Sequence, residues 1–263
     1  MTVPKNKEAP FIKEKVYLRQ INKNVAKEMI VKNHYTHKWS LCQVAYGVYY
    51  KSESDNKYFD GEGVGDTLIG CLIYGQPVGR SAAASLSELL SIDEVFELTR
   101  LFIHDGYGRN IESYSITQSF KLLNKEFPKI KAVLSYADGE QGHAGVIYQA
   151  TGFLYQGNSS LALMPNYSLS LSGPPDYNWM HSRSVTSKWG SCNIEHLKNC
   201  IGKTFWLKKE STKHRYVIFI GNKKEKRTLQ KSLKHPILPY PKSCNYVEEI
   251  REIPVEPKTN NFF

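Results

Sequence analysis

Residues Val133 to Phe153, VLSYADGEQGHAGVIYQATGF, decide how this chain is read. The apolar run Ala132-Val133-Leu134 has the character of a buried strand and breaks at Ser135-Tyr136-Ala137-Asp138-Gly139, which sets a carboxylate just past the strand end. Open α/β sheets bind their ligands at such ends. Gly142-His143-Ala144-Gly145 follows, two glycines that let a ligand approach the backbone, and then a short helix carrying Ala144, Tyr148, Gly152 and Phe153. Asp138 has two readings, a reactive carboxylate or the N-cap of the following turn. Tyr148 is either a ligand contact or an amphipathic core tyrosine.

Outward from this stretch the chain alternates short elements. Val16 to Ile21 predicts a strand, Asn22 an N-cap, and Val25, Ala26, Met29 and Ile30 one apolar face of a helix ending near Asn33. His34-Tyr35-Thr36-His37-Lys38-Trp39 comes next and reads either as an ordinary aromatic helix end or as part of a site. Val44, Tyr46, Val48 and Tyr50 alternate as a strand, and a polar, Gly-rich excursion over 52–66 returns into Leu68 to Tyr74, a long-looped antiparallel hairpin. Small residues over 75–91 predict a loop with a short helix around Leu86 to Leu90. Val95 to Ile103 predicts a strand on which Glu97 and Arg100, three apart, point to opposite faces. A turn containing Gly106 and Gly108 leads into a helix of about four turns with Ile116, Phe120 and Leu123 on its apolar face. Strand, glycine turn and helix together offer unpaired N–H groups to an anion. Phe153 to Gln156 and Leu161 to Met164 predict closing strands, giving the order β-α-β-β-β-α-β-α-β-β.

That order, with the spacing Ala144-x3-Tyr148-x3-Gly152-Phe153, resembles the GNAT acyltransferase superfamily. The resemblance implies an α/β fold with a mixed, mostly antiparallel central sheet flanked by helices, and a tyrosine at the sulfur of coenzyme A. It makes Gly106, Gly108, Arg109, Asn110, Ser113 and Tyr148 the cofactor-binding set. The superfamily's pyrophosphate loop follows Arg/Gln-x-x-Gly-x-Gly/Ala, whereas Ile103 stands at the first position here, so the donor is left open between acetyl-CoA and a related activated small molecule.

A narrower resemblance covers roughly Val16 to Gly157. His34-Tyr35, Glu97-Leu98-Thr99-Arg100-Leu101, Arg109-Asn110-x-Glu112-Ser113, Ser135-Tyr136-Ala137-Asp138, Gly142-His143 and Ile147-Tyr148-Gln149-Ala150 are similar, in this order, to the Mom family of phage DNA-modification proteins. The family resemblance implies conversion of the N6 amine of adenine in DNA to a methylcarbamoyl form that protects DNA from restriction. It implies His34, Tyr35 and Asp138 as the catalytic positions, and the same three as ligands of an iron ion. Such a product carries a methylene on nitrogen, unlike the amide left by acetyl-CoA.

Composition bounds the alternatives. No apolar run of the 263 residues reaches membrane-spanning length and no signal peptide precedes the first strand, so a cytoplasmic protein, here of a bacterial host cell, is expected. Five cysteines without a C-x-x-C pair predict reduced thiols, and Cys192-x3-His196-x3-Cys200 lacks the fourth ligand of a zinc site. Net charge is +10, and the segment from Lys203 to Lys242 alone holds twelve Lys or Arg against Glu210 and Glu225. That concentration predicts DNA as the partner, with phosphate contacts from Lys208, Lys209, Lys213, Arg215, Lys223, Lys224, Lys226 and Arg227. Gly173-Pro174-Pro175 marks a linker, so a catalytic domain over 1–170 and a small basic α+β extension over 171–263 are expected. Within the extension, Lys203 to Lys209 and Tyr216 to Ile220 predict strands, Lys223 to Lys234 a helix, His235 to Pro241 an extended tail, and 256–263 disorder.

Chemistry points the same way. The N6 lone pair of adenine is delocalised, so its attack needs a base, for which Asp138 and His34 are the candidates. Reaching N6 inside a pocket calls for flipping the base between walls such as Tyr35, Trp39 and Tyr136. Two rivals remain: a conventional N-acetyltransferase using acetyl-CoA on a protein or small amine, and a non-catalytic DNA-binding protein of the same fold.

Overall fold

The computed structural model describes residues 9–51, 65–77, 80–158, 166–244 and 247–255. In chain order the strands are β1 (Val16–Gln20), β2 (Val44–Tyr50), β3 (Thr67–Gly75), β4 (Val95–Ile103), β5 (Ala132–Asp138), β6 (Leu154–Asn158), β7 (Tyr167–Ser170), β8 (Phe205–Lys209), β9 (Lys213–Phe219) and β10 (Ile250–Ile253). The helices are α1 (Lys23–Asn33), α2 (Arg80–Ala84), α3 (Ile111–Glu126), α4 (Val146–Ala150), α5 (Ser182–Trp189), α6 (Ile194–Ile201) and α7 (Lys223–Lys231). Two sheets form, one in the order β1-β2-β3-β4-β5-β9-β6 and one in the order β10-β8-β7. The first four strands of the large sheet are antiparallel neighbours and β4–β5 is parallel. This is the mixed, mostly antiparallel sheet flanked by helices that the sequence predicts.

The elements form where local chemistry puts them. Asn22 caps α1 by accepting from the Asn24 N–H at 2.8 Å, and Ala26 and Ile30 turn fully inward. Val25, expected on that face, is 44% exposed. In α3 the face Ile116, Phe120 and Leu123 is buried as its spacing requires. Two tyrosines inside the sheet, Tyr46 and Tyr74, satisfy their hydroxyls on Glu126 at 2.7 Å and Ser119 at 2.6 Å. The predicted short helix around Leu86 forms earlier, as α2, and Leu86 is buried in the core instead. The predicted strand Leu161 to Met164 and the tail 256–263 lie outside the described residues.

The chain divides into two compact units, one comprising 1–137, 145–157 and 214–240, the other 138–144, 158–213 and 241–263. A single cut after residue 170 is therefore not how the chain is organised. β9, from the expected extension, runs between β5 and β6 inside the large sheet. Tyr216 packs on Tyr148 and Tyr155 with ring centroids 5.3 and 5.1 Å apart, and Val217, Phe219 and Leu229 join Ala132 and Leu134 in one apolar cluster. The proline-rich tail then lies along β6, with the Leu238 N–H donating to Tyr155 O at 2.8 Å and Tyr240 Oη donating to Phe153 O at 2.6 Å. The second unit has its own core of Leu169, Val185, Leu197, Phe205 and Leu207.

Burying one large apolar side chain is worth about 1.5–3 kcal/mol, and a domain's whole stability is about 5–15 kcal/mol. Losing Tyr216, Val217, Phe219 and Leu229 together would remove most of it. A chain ending at residue 170 is expected to show no cooperative thermal transition by circular dichroism. A sharp transition would mean that β5 and β6 close without β9.

Candidate active site and basic helix

β4 and β5 pair only from Val95 and Ala132 to Glu97 and Leu134, and both strands continue past the point where their ladder ends. Backbone groups along such a gap need other partners. Ser135 supplies one: its fully buried hydroxyl donates to Leu98 O at 3.2 Å, and it also hydrogen-bonds Tyr148 from α4. Gly145, with φ 76°, starts α4 hard against Tyr216, where a Cβ would lie 2.4 Å from the ring. Tyr148 is 8% exposed, and burial above all, with Tyr35, Glu97 and Tyr216 adding to it, pushes its hydroxyl up to about 12. It keeps its proton and can act as a donor.

A second irregularity sits beside the gap. Ile73 of β3 pairs with Arg100 and Tyr74 with Leu98, so Thr99 is the extra residue of a β-bulge in β4. Its hydroxyl shares a hydrogen bond with Ser40 at 2.8 Å and reaches Ile73 O at 3.2 Å. The bulge resets the alternation of the strand. Glu97 and Arg100, expected on opposite faces, are close enough to interact, and Tyr35 acts on Arg100 as well. Burial pushes the Arg100 guanidinium down and these two groups oppose the shift, while its Nε and Nη1 donate to Lys38 O at 3.3 Å and Thr99 O at 2.6 Å. Tyr136 joins the group: burial raises its hydroxyl, Arg215 from β9 counters, and Glu97 adds to the rise.

His34 and Tyr35 leave the end of α1 together, with ring centroids 4.3 Å apart. Tyr35 is 46% exposed, whereas His34 is buried. The Thr36 N–H donates to His34 Nδ1 at 3.2 Å, and Thr36 Oγ1 lies 2.9 Å from the same atom. A lone pair engaged by a backbone N–H places the proton of the neutral ring on Nε2. In that tautomer Nε2 neither accepts a proton nor binds a metal.

Asp138 belongs to the second unit and ends β5 as the cap of the turn Gly139–Gln141. Oδ1 accepts from the Glu140 N–H at 3.1 Å and from Ser211 Oγ at 3.0 Å, and Oδ2 lies 3.2 Å from Lys213 Nζ. Burial raises this carboxyl, but the Lys213 charge and these hydrogen bonds together outweigh it and hold it below the usual carboxylate range. The capping reading of Asp138 is the one the geometry gives. Both Asp138 oxygens are engaged within the second unit, and the His34 lone pair is taken by Thr36. Among the described residues no three His, Cys, Asp or Glu side chains converge on a metal position.

The glycine loop has the backbone expected of it, with φ of 101°, 104° and 68° at Gly106, Gly108 and Asn110. Its donors are partly spent. The Arg109 N–H donates to Ala9 O at 2.9 Å, a Cβ on Gly108 would lie 2.6 Å from Phe11, and the Ser113 hydroxyl donates to Asn110 O at 3.0 Å. Ile103 is buried at the position where the superfamily loop has a polar side chain. Of the six residues expected to bind cofactor, Tyr148 is the one that meets the gap between β4 and β5.

The cationic residues separate into two kinds. Lys208 pairs with Glu140 and Glu248 and stands over the Trp179 ring, Lys209 pairs with Glu249, and Lys213 with Asp138. Arg215 is buried. These four are turned to protein partners, contrary to the expectation that they face phosphates. α7 differs. Asn222 and Glu225 form its capping box, Leu229 anchors it in the core of the first unit, and Lys223, Lys224, Lys226 and Arg227 are exposed. Lys223, Lys224, Arg227, Thr228 and Lys231 line a groove of about 330 Å³.

A mixed sheet whose parallel pair parts beside a bulge, with a buried tyrosine at the opening and charged groups gathered around it, defines a ligand-binding α/β protein of the transferase kind. Residues 15–242 match the Mom protein family. The chain belongs to that family. Methylcarbamoylase mom of Escherichia phage Mu is 29% identical over 181 residues, which cover 68% of this chain and 69% of that protein. Among solved structures, spermidine N-acetyltransferase from Vibrio cholerae aligns at 10% identity with a TM-score of 0.39, over 79% of this chain and 96% of its own. Arabidopsis thaliana NAA60 aligns at 11% identity with a TM-score of 0.37, over 78% and 99%.

Glu97, Arg100 and Ser135 were not among the expected site residues, and Arg215 was expected at phosphates and not beside Tyr136, because only the bulge and the inserted strand bring these groups together. For Asp138 the lowered carboxyl predicts a pH effect. Its contribution to stability is present above 3.8, the ordinary value for such a group, and is lost as pH falls through its lower folded value. The melting-temperature difference between the wild type and Asp138→Asn should therefore be largest near neutral pH and shrink in acid. A difference independent of pH would show that the Lys213 pair does not stabilise the charged form.

Proposed function

We propose that this protein transfers a methylcarbamoyl group from an activated small molecule to the N6 amine of adenine in DNA. The observation that supports this reading best is the gathering of Tyr35, Glu97, Arg100, Tyr136 and Tyr148 at the opening between β4 and β5, in a chain of the Mom family. The flipped base stacks against Tyr35, which is exposed and stands at a helix end. Glu97 takes the N6 proton as the nitrogen attacks the donor's methylene carbon, and the donor's leaving group departs with the bonding pair. Arg100 stands beside Glu97, and the carboxylate opposes the downward push of burial on the guanidinium. Tyr148, held by Ser135, walls the donor's place at the opening.

His34 acts through its neighbours, holding Thr36 and stacking on Tyr35, so it is a positioning residue. Asp138, tied to Lys213 and Ser211, positions the end of β5. α7 holds the DNA backbone through Lys223, Lys224, Lys226 and Arg227, which supply charge without reading sequence. The engaged Arg109 N–H weighs against an ordinary acetyl-CoA acetyltransferase.

Mass spectrometry of nucleosides from DNA of cells expressing the protein tests the reaction. A modified deoxyadenosine is expected with the wild type, and about 100-fold less or more with Glu97→Gln at unchanged DNA affinity, the usual scale for removing a general base. Full activity in Glu97→Gln would move the base elsewhere, and unmodified DNA with soluble wild type would overturn the reading. Neutralising Lys223, Lys224, Lys226 and Arg227 should flatten the slope of log affinity against log salt by about 0.9 per lost phosphate contact, for all DNA sequences alike. An unchanged slope would remove α7 from the interface.

A further inference from the structure

Arg215 is an arginine in the wrong place for a surface phosphate contact. It stands on β9, a strand inside the large sheet, and is 9% exposed. Its Nη1 donates to Ser85 Oγ at 2.9 Å and its Nη2 to Ala82 O at 3.2 Å, both just beyond or within the end of α2. Its Nε–H is buried and has no hydrogen-bond partner. No carboxylate lies within ion-pair distance of it among the described residues, and burial pushes its guanidinium down. A guanidinium cannot shed its proton, and a buried cation without a counter-charge costs several kcal/mol. Buried arginines in folded proteins are paired. This one is held by two neutral acceptors at Nη1 and Nη2 and keeps an unused donor at Nε.

We infer that Arg215 is a binding residue for an oxyanion of one of the two reactants, taken up through its Nε edge beside Tyr136. Tyr136 lies two residues beyond Leu134, where the β4–β5 ladder stops, so the anion is held at the border of the opening. Guanidinium binds phosphate and carboxylate oxygens in the same bidentate manner, with charge-assisted hydrogen bonds about twice as strong as neutral ones. The anion is either the DNA phosphate next to the flipped adenosine or an acidic group of the donor. The inference deepens the DNA-modification reading and rests on it for the identity of the first source.

The test uses the full chain with Arg215→Gln and Arg215→Lys, the second keeping the charge but not the fork. Melting temperature is followed with inorganic phosphate and with acetate against chloride at constant ionic strength. DNA affinity is measured for a duplex with a neutral methylphosphonate at either linkage of the target adenosine. The wild type should be stabilised by phosphate or acetate, and Arg215→Gln should not be; if Arg215→Gln fails to fold, Arg215→Lys should show the stabilisation weakened. If the anion belongs to DNA, the methylphosphonate should weaken wild-type binding about tenfold or more, the scale of a lost charge-assisted bond, and leave the variants almost unaffected. If it belongs to the donor, the anion stabilisation should depend on Arg215 while the methylphosphonate affects all proteins equally. Equal anion responses and equal methylphosphonate losses in every protein would overturn the inference and make Arg215 a tether for α2. DNA that binds but is never modified would defeat the proposed reaction without touching the anion result.

Discussion

The parting of β4 from β5 is the constraint on which the rest of the site depends. Parallel strands that separate leave backbone donors and acceptors unpaired, and a folded protein tolerates that only where other groups or a ligand complete them. Here Ser135 completes one carbonyl, and Tyr148 in turn bonds to Ser135. The Thr99 bulge bends β4 at the same level and is fastened by its own hydroxyl to Ser40 and Ile73. The opening is therefore braced from both strands, which lets it persist as a shaped gap instead of zipping into continuous sheet.

β9 closes the other side of β5. Because it comes from far along the chain, the large sheet cannot be completed before the intervening segment has folded or moved out of the way, and such non-local pairing is slow to form. The arrangement also has a chemical consequence. It brings a long-range residue, Arg215, into the sheet beside Tyr136, and it carries α7 into the same unit through Leu229. The basic helix and the opening between β4 and β5 thus belong to one unit.

What was legible in the sequence is what depends on local pattern. β4 spans Val95–Ile103 and α1 starts at Asn22 because alternation and capping are short-range effects. The glycines of the turn before α3 were readable for the same reason. The bulge was not, since Glu97-Leu98-Thr99-Arg100 alternates well enough to pass for regular strand, and a single extra residue moves Arg100 to the other face. Nor was β9: its sequence predicts a strand but not its neighbours, and an arginine within a basic run gives no sign that it will be buried. Asp138 illustrates a different limit. Both of its readings fitted the sequence, and the choice came from Ser211 and Lys213, more than seventy residues away.

Charge shows how much folding changes the meaning of composition. The segment from Lys203 to Lys242 carries an excess equal to that of the whole chain, which read as one patch. In the structure Lys208, Lys209 and Lys213 each face a carboxylate and Arg215 is buried, so their charges are largely cancelled locally or withheld from solvent. The cations of α7 have no carboxylate within ion-pair distance among the described residues, and Lys223, Lys224, Arg227 and Lys231 line a groove together. Field strength near a surface depends on uncompensated charge within about a Debye length, roughly 8–10 Å, and not on the total for the chain. The uncompensated charge is consequently narrower than the composition suggests, close to the width of one short helix. Charge confined to so small an area can orient a polyanion but cannot by itself read a base sequence.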